Sequence, residues 1–323
     1  MFEPLPLSNE QRATSNEPII YENFERERLT PIYDIIDPYS EMKKNERYFL
    51  NGIIRALKPR KILEVGVSSG GGSAIILNAI SDIEGAKLYS VDYLEKAYGY
   101  PEKLSGFLVN EKFSELANND KWQIFRGRDI SYFIEEIGGD IDLLVLDTEH
   151  FHPCEMLNFL CVLPFMKRDS WCVLHDINIC GVILNHAFRN ALATRYLFGH
   201  VVSDEKILPV SDYDQGRPAN IGAFKISDVT MKYADNLFQS LFIPWKHEPL
   251  IRDINDMRNI IKKYYSVENY QRFCEALKFH DFLFEHPVYE PVPIARAFLR
   301  RYAPNFYGWL HRKKIERKNK LSS

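Results

Sequence analysis

The sequence predicts an α/β fold: a doubly wound, mostly parallel sheet of seven strands with helices on both faces. Three observations carry that prediction. Between Lys61 and Asp176, short apolar runs alternate with stretches of helical periodicity. The first of these runs ends in a glycine-rich turn, and the later ones end in or just before an acid. Finally, residues 198–210 and 221–226 follow one another with no long helix between them, which predicts an antiparallel hairpin closing the sheet edge.

Taken in order, residues 1 to about 30 read as a loose polar arm, and the arm as a whole is placed at 1–40. Residues 41–57 bring Tyr48, Phe49, Ile53, Ile54 and Leu57 near one face of a helix, which Pro59 interrupts. The run from Lys61 to Val67 is a buried parallel strand, and residues 73–80 are a helix with Ser73 near its start. Strands are expected at 88–92, 122–127, 141–147 and 171–176, with helices at 130–136, 155–166 and 181–196 among the connections. The main domain is thus 41–227. Residues 228–323 form a helical extension rich in Tyr, Phe, Lys and Arg.

Composition sets the outer bounds. The chain has 323 residues, 46% hydrophobic and 26% charged, which suits a globular protein with one large domain and an appendage. A net charge of -3 with no reader motif argues against nucleic acid as a partner. The N-terminus lacks a signal-peptide pattern and no run is long enough to span a membrane, so a cytoplasmic location is expected. The odd number of cysteines, with no Cys-x-x-Cys, reads as reduced thiols rather than a zinc site.

The glycine-rich turn Gly66-Val67-Ser68-Ser69-Gly70-Gly71-Gly72 lets backbone approach a ligand and aims helix amides at it. Alone it leaves a nicotinamide dinucleotide open, or a mere tight turn beside a surface charge. Glu64, two residues before Gly66, suits a ligand with a cationic amino-acid end better than a pyrophosphate. Asp92 ends the next strand, where a carboxylate accepts ribose hydroxyls. Ser68 stands where a dinucleotide fingerprint has its second glycine.

Together Ile62-Leu63-Glu64-Val65-Gly66, Gly70-Gly71-Gly72-Ser73, Val91-Asp92, the run from Asp142 to Asp147 and Leu174-His175-Asp176 resemble a class I S-adenosylmethionine-dependent methyltransferase with its Rossmann-like sheet. More narrowly they resemble the macrocin O-methyltransferase-like and cephalosporin hydroxylase-like small-molecule group. The resemblance covers residues 41–226. It implies that Glu64 and Gly66 hold the methionine end, that Ser68, Gly70 and Gly71 line the turn, and that Asp92 holds the ribose. Asp129 either lies by the adenine or caps the helix that starts at Ile130, or does both.

Methyl transfer to oxygen needs an acceptor in line with the methyl group and a route for its proton. Asp147 and Asp176 end neighbouring strands, and with His175 they could hold Mg²⁺ or a similar cation. The resembled family often carries Asp-Gly-Asp-His here; this chain has Asp147-Thr148-Glu149-His150. His150, three residues after Asp147, is the expected base, with His152 a rival. The resemblance suggests a sugar-containing acceptor; a non-catalytic scaffold of the same fold is the alternative, as is an NAD-dependent sugar-modifying enzyme. The tail Arg300-Arg301-Tyr302 to Lys314 mixes aromatics and cations, a pattern suited to an anionic membrane surface or to a solvated basic end. Its aromatic neighbours, Tyr264 to Phe284, suit a small helical core or a homo-oligomer contact.

Overall fold

A computed structural model describes residues 19–118, 120–182, 186–209 and 218–285. Residues 1–277 form one compact unit and 278–323 another, the latter described only through Glu285. The polar loop at 211–217 and the basic aromatic tail lie outside the described residues.

Among the described residues nine strands occur: β1 (Lys61–Val65), β2 (Lys87–Asp92), β3 (Lys96–Ala97), β4 (Tyr100–Leu104), β5 (Trp122–Arg126), β6 (Ile141–Leu146), β7 (Met166–His175), β8 (Lys206–Ile207) and β9 (Ile221–Lys225). Seven make one sheet in the order β5-β2-β1-β6-β7-β9-β8. The first five in that order are parallel, while β9 runs antiparallel to both β7 and β8. The predicted seven-stranded, doubly wound sheet with a terminal hairpin is therefore the fold. β3 and β4 form a separate two-stranded ribbon that the sequence reading missed.

Strand alternation divides the apolar residues between two faces. Ile62, Leu88, Leu143, Val145 and Val173 pack with the helices Lys44–Leu57 and Gly71–Ala79. Leu63, Val65, Leu144, Leu146 and Leu174 pack on the other face with Ile130–Ile137 and Cys154–Val162. Both faces are covered, which is why these strands read as continuous apolar runs.

Several boundaries differ from expectation. The helix expected at 155–166 ends at Val162; a 3-10 turn at Leu163–Phe165 follows, and β7 starts at Met166. Pro164 lies in that turn and cannot continue the α-helical hydrogen bonding. Of the helix expected at 181–196, the described residues show Ile179–Val182, a 3-10 turn at His186–Asn190 and the helix Ala193–His200. The long strand expected from 198 shrinks to Lys206–Ile207, because the helix Ala193–His200 occupies its start.

The expected arm is not loose where it is described. Leu29 and Ile36 are fully buried, and Tyr21 packs edge-on against Phe49. At the other end, Leu237, Phe238 and Leu241, with Met257, Ile260, Ile261 and Phe273, join the same core as the sheet. All five cysteines are free thiols. Among the described residues no helix is long and apolar enough to cross a membrane.

Candidate active site

Register places the polar residues. Val65 pairs with Val91 and with Leu146, and Leu146 pairs with Leu174. Gly66, Asp92, Asp147 and His175 thus stand one step beyond an aligned row, at the carboxyl ends of adjacent strands. That is the edge at which doubly wound sheets bind ligands.

The glycine-rich turn is tightly built. Gly66 has φ +94°, and a Cβ there would lie 1.6 Å from the Asp147 carbonyl oxygen. Gly70 also has a positive φ, and a Cβ there would touch the Cα of Gly106 at 3.0 Å. Ser68 adopts φ 51° in place of a glycine. Asp92 holds the turn in shape: its carboxylate accepts from the Val67 amide at 3.1 Å, the Ser68 amide at 2.8 Å and the Ser105 hydroxyl at 2.6 Å. Its other oxygen accepts from Leu94 N at 2.8 Å.

Glu64 is buried and accepts from the hydroxyls of Ser73 at 2.5 Å and Ser90 at 2.7 Å. Burial pushes its carboxyl up to about 7, although the two hydroxyls pull the other way. Asp129 does cap the helix Ile130–Ile137, accepting from Ser131 N at 2.8 Å. Burial, helped by the charges of Asp253 and Asp256, raises it to about 6.

Two histidines and two aspartates meet beyond β6 and β7. His150 Nε2 is 3.1 Å from Asp176 Oδ2 and 4.0 Å from Asp147 Oδ1. His175 Nδ1 is 3.1 Å from Asp147 Oδ1 and 3.4 Å from Asp176 Oδ2. His150 and Asp176 both take left-handed backbone, at φ 65° and 57°. Such conformations cost about 1–2 kcal/mol each and cluster at functional sites. Asn220 donates to Asp176 Oδ1 at 2.5 Å.

The four groups set one another's ionisation. Burial works to lower both imidazoles, yet carboxylates outweigh it: Glu155 first, then Asp147 and Asp176, raise His150 to about 9, and Asp147 and Asp176 hold His175 well above its usual range. Burial also works to raise Asp147, but His175 and His150 hold it low. Asp176 is pushed up, chiefly by burial.

Two carboxylates that the sequence reading did not single out stand behind the imidazoles. Glu155, fully buried, accepts from His150 N at 2.6 Å and lies 3.5 Å from His150 Nδ1. Glu46 lies 3.0 Å from His175 Nε2. Only Glu46 left a signal in the sequence: it falls one helical turn before Phe49 and Leu50, on the apolar face. His152, the rival base, is buried with its ring edge-on to Tyr196 at 5.4 Å, and is not part of the cluster. Asp147, His175 and Asp176 each offer a ligand atom, all within 4.8 Å of one another. His175 Nδ1 is buried without a hydrogen bond, so the donor set fits a divalent cation.

A family model described as a methyltransferase domain matches residues 63–177. No curated protein is similar to the chain at a significant level. Among solved structures, the S-adenosylhomocysteine-bound methyltransferase PaMTH1 of Podospora anserina is 15% identical, covering 71% of this chain and 100% of its own, with a TM-score of 0.47. The O-methyltransferase TomG of Streptomyces achromogenes, involved in tomaymycin synthesis and solved with S-adenosylmethionine, is 15% identical, covering 68% and 95%, with a TM-score of 0.44. An O-methyltransferase of Bacillus cereus in complex with S-adenosylhomocysteine is 15% identical, covering 67% and 96%, with a TM-score of 0.40.

Proposed function

We propose that this chain, whose residues 63–177 match a methyltransferase domain, is a class I S-adenosylmethionine-dependent enzyme that methylates a hydroxyl oxygen of a small polar acceptor. The observation that carries the oxygen reading is the imidazole–carboxylate cluster beyond β6 and β7, level with the glycine-rich turn. The donor's sulfonium supplies an activated methyl group. What the protein must add is position and a path for the acceptor proton.

In this reading the turn from Gly66 to Gly71 receives the donor, with Glu64 at its amino-acid end and Asp92 at its ribose. Asp92 Oδ2 already accepts from Val67, Ser68 and Ser105, while Oδ1 accepts from Leu94. A ribose hydroxyl would take the position left on Oδ1 while the turn amides keep the carboxylate aimed. Asp129 supports the adenine side through the helix it caps.

His150 takes the acceptor proton. At a value near 9, held up by Glu155 first and then by Asp147 and Asp176, its ring is protonated at neutral pH. A divalent cation held by Asp147, His175 and Asp176 would supply positive charge in place of that proton and would lower the pKa of a bound hydroxyl. Asp176 is fixed by Asn220, and Glu155 fixes His150 through its backbone amide and ring.

The acceptor we assign is a sugar hydroxyl, supported by the resemblance of Asp147 to His150 and of His175-Asp176 to the macrocin-type group. The test is transfer of a labelled methyl group from S-adenosylmethionine to a panel of glycosylated small molecules, with and without divalent cations. Labelled product confined to hydroxylated acceptors supports the proposal. Donor binding without any transfer would favour the scaffold reading, and stabilisation by NAD alone would replace the donor.

A further inference from the structure

We propose that Glu46 is a positioning residue: it holds the His175 ring so that Nδ1 is a ligand atom, creating a mixed nitrogen and oxygen site that prefers Mn²⁺ and its transition-metal neighbours to Mg²⁺. The inference rests on the cation reading above and deepens it.

Glu46 stands on the helix Lys44–Leu57, outside the matched segment 63–177. It is 1% exposed, so its carboxylate has no water to satisfy it. Oε2 accepts from the Lys43 amide at 2.6 Å, which fixes the carboxylate against the helix start. The same oxygen lies 3.0 Å from His175 Nε2.

A carboxylate only accepts, so it selects the tautomer with the proton on Nε2. Nδ1 then presents its lone pair to the other side of the ring. On that side it meets two carboxylate oxygens, at 3.1 Å on Asp147 and 3.4 Å on Asp176. Where a cation takes the place of the Nδ1 proton, the ring nitrogen and the two carboxylate oxygens face one point while Glu46 keeps the proton on Nε2. Ligand atoms that share one cation at about 2.1 Å stand about 3 Å apart at right angles. The observed spacings suit that arrangement. A carboxylate behind a ligating imidazole is the recurrent support for such a ring.

The donor set decides the class of metal. Mg²⁺ prefers oxygen ligands and retains water, whereas an imidazole among carboxylates favours later divalent ions.

The test uses the full chain freed of metal by chelation. Mn²⁺ and Mg²⁺ are titrated by calorimetry, and Co²⁺ by its visible absorption, with wild type, Glu46→Leu and Glu46→Gln. Wild type should bind Mn²⁺ at least about 10-fold more tightly than Mg²⁺. Glu46→Leu should lose about 10–100-fold in Mn²⁺ affinity and shift the Co²⁺ spectrum. Glu46→Gln, whose amide oxygen still accepts from Nε2–H, should retain most of both. Affinity for S-adenosylhomocysteine should be the same in all three. Should Glu46→Leu fail to fold, Glu46→Ala takes its place, and a His175→Gln chain is compared with His175→Gln/Glu46→Ala: Glu46 acts through His175, so the second change should then do nothing further. Wild-type binding of Mn²⁺ no tighter than Mg²⁺, an unchanged Co²⁺ spectrum in Glu46→Leu, or a further loss in the double variant overturns the inference alone. No dication binding by a wild type that binds S-adenosylhomocysteine overturns the cation reading as well.

Discussion

Single side chains carry the electrostatics, and Glu64 gives the sharpest consequence. Its folded-state value of about 7 lies above the ordinary 4.5 of a glutamate, so folding favours the protonated form. The associated stability is fully present below about pH 4.5 and is lost as pH rises through 7. Glu64→Gln removes that dependence. Thermal melts should show the variant equal to wild type near pH 4.5 and more stable near pH 8 by about 3 kcal/mol. Its affinity for S-adenosylmethionine should fall even so, since the charge for the donor's ammonium is gone. His150 has the same sign with the opposite charge. Its ion pairs stabilise the metal-free chain fully below 6.5, and that contribution is lost as pH rises through about 9. For catalysis, His150→Ala should lower kcat by about 10²–10⁴-fold, with unchanged affinity for S-adenosylhomocysteine. A parallel loss of affinity would mark the residue as structural.

At the scale of elements, the strand-to-turn junction is the least tolerant part of the sheet. Gly66 sits where β1 meets the turn, and any Cβ there collides with the Asp147 backbone, which itself leads into the cluster. Gly66→Ala should destabilise the chain by at least about 2 kcal/mol, from overpacking together with a positive φ. Gly85→Ala is the matched control: φ is +71° but nothing lies within 4 Å, so the cost should be about 1 kcal/mol. Equal costs in urea denaturation would show that steric contact with Asp147 does not matter. Asp92→Ala removes three acceptor contacts from the turn and its neighbour Ser105. It should weaken S-adenosylmethionine by about 10-fold or more, measured by calorimetry. The ribose contact and the shape of the turn act in the same direction here.

For the molecule as a whole, the sheet depends on chain well beyond the matched segment. Leu237, Phe238, Leu241, Ile260, Ile261 and Phe273 are almost wholly buried in the core that covers one sheet face. Burying a large apolar side chain contributes about 1.5–3 kcal/mol, and a domain's net stability is only about 5–15 kcal/mol. A chain ending at residue 227 should therefore fail to unfold cooperatively by circular dichroism, whereas one ending at 285 should melt with a single transition. Tyr93 and Arg128 tie the same segment to the strand ends: Tyr93 donates to Asp253 at 3.0 Å and Arg128 to Asp256 at 2.5 Å.

The sequence by itself determined the parallel strands, their order of appearance, the glycine-rich turn and the acids at the strand ends. Each of these is a local pattern, in which an apolar run, a glycine or a terminal carboxylate is visible without its neighbours. It also brought Asp147, His150, His175 and Asp176 under suspicion, because two of them end strands and one falls at a fixed spacing. Only the tertiary structure decided the company they keep. Glu46 and Glu155 back the two imidazoles from 129 residues away and from five, and no periodicity announces either pairing. The same holds for Asp92, whose four donors arrive from three separate stretches of chain, and for the N-terminal residues that looked like an arm until Leu29 and Ile36 were buried. Burial and ion pairing are properties of what folds against a residue, so the value near 7 on Glu64 and the value near 9 on His150 belong to the fold and not to the string.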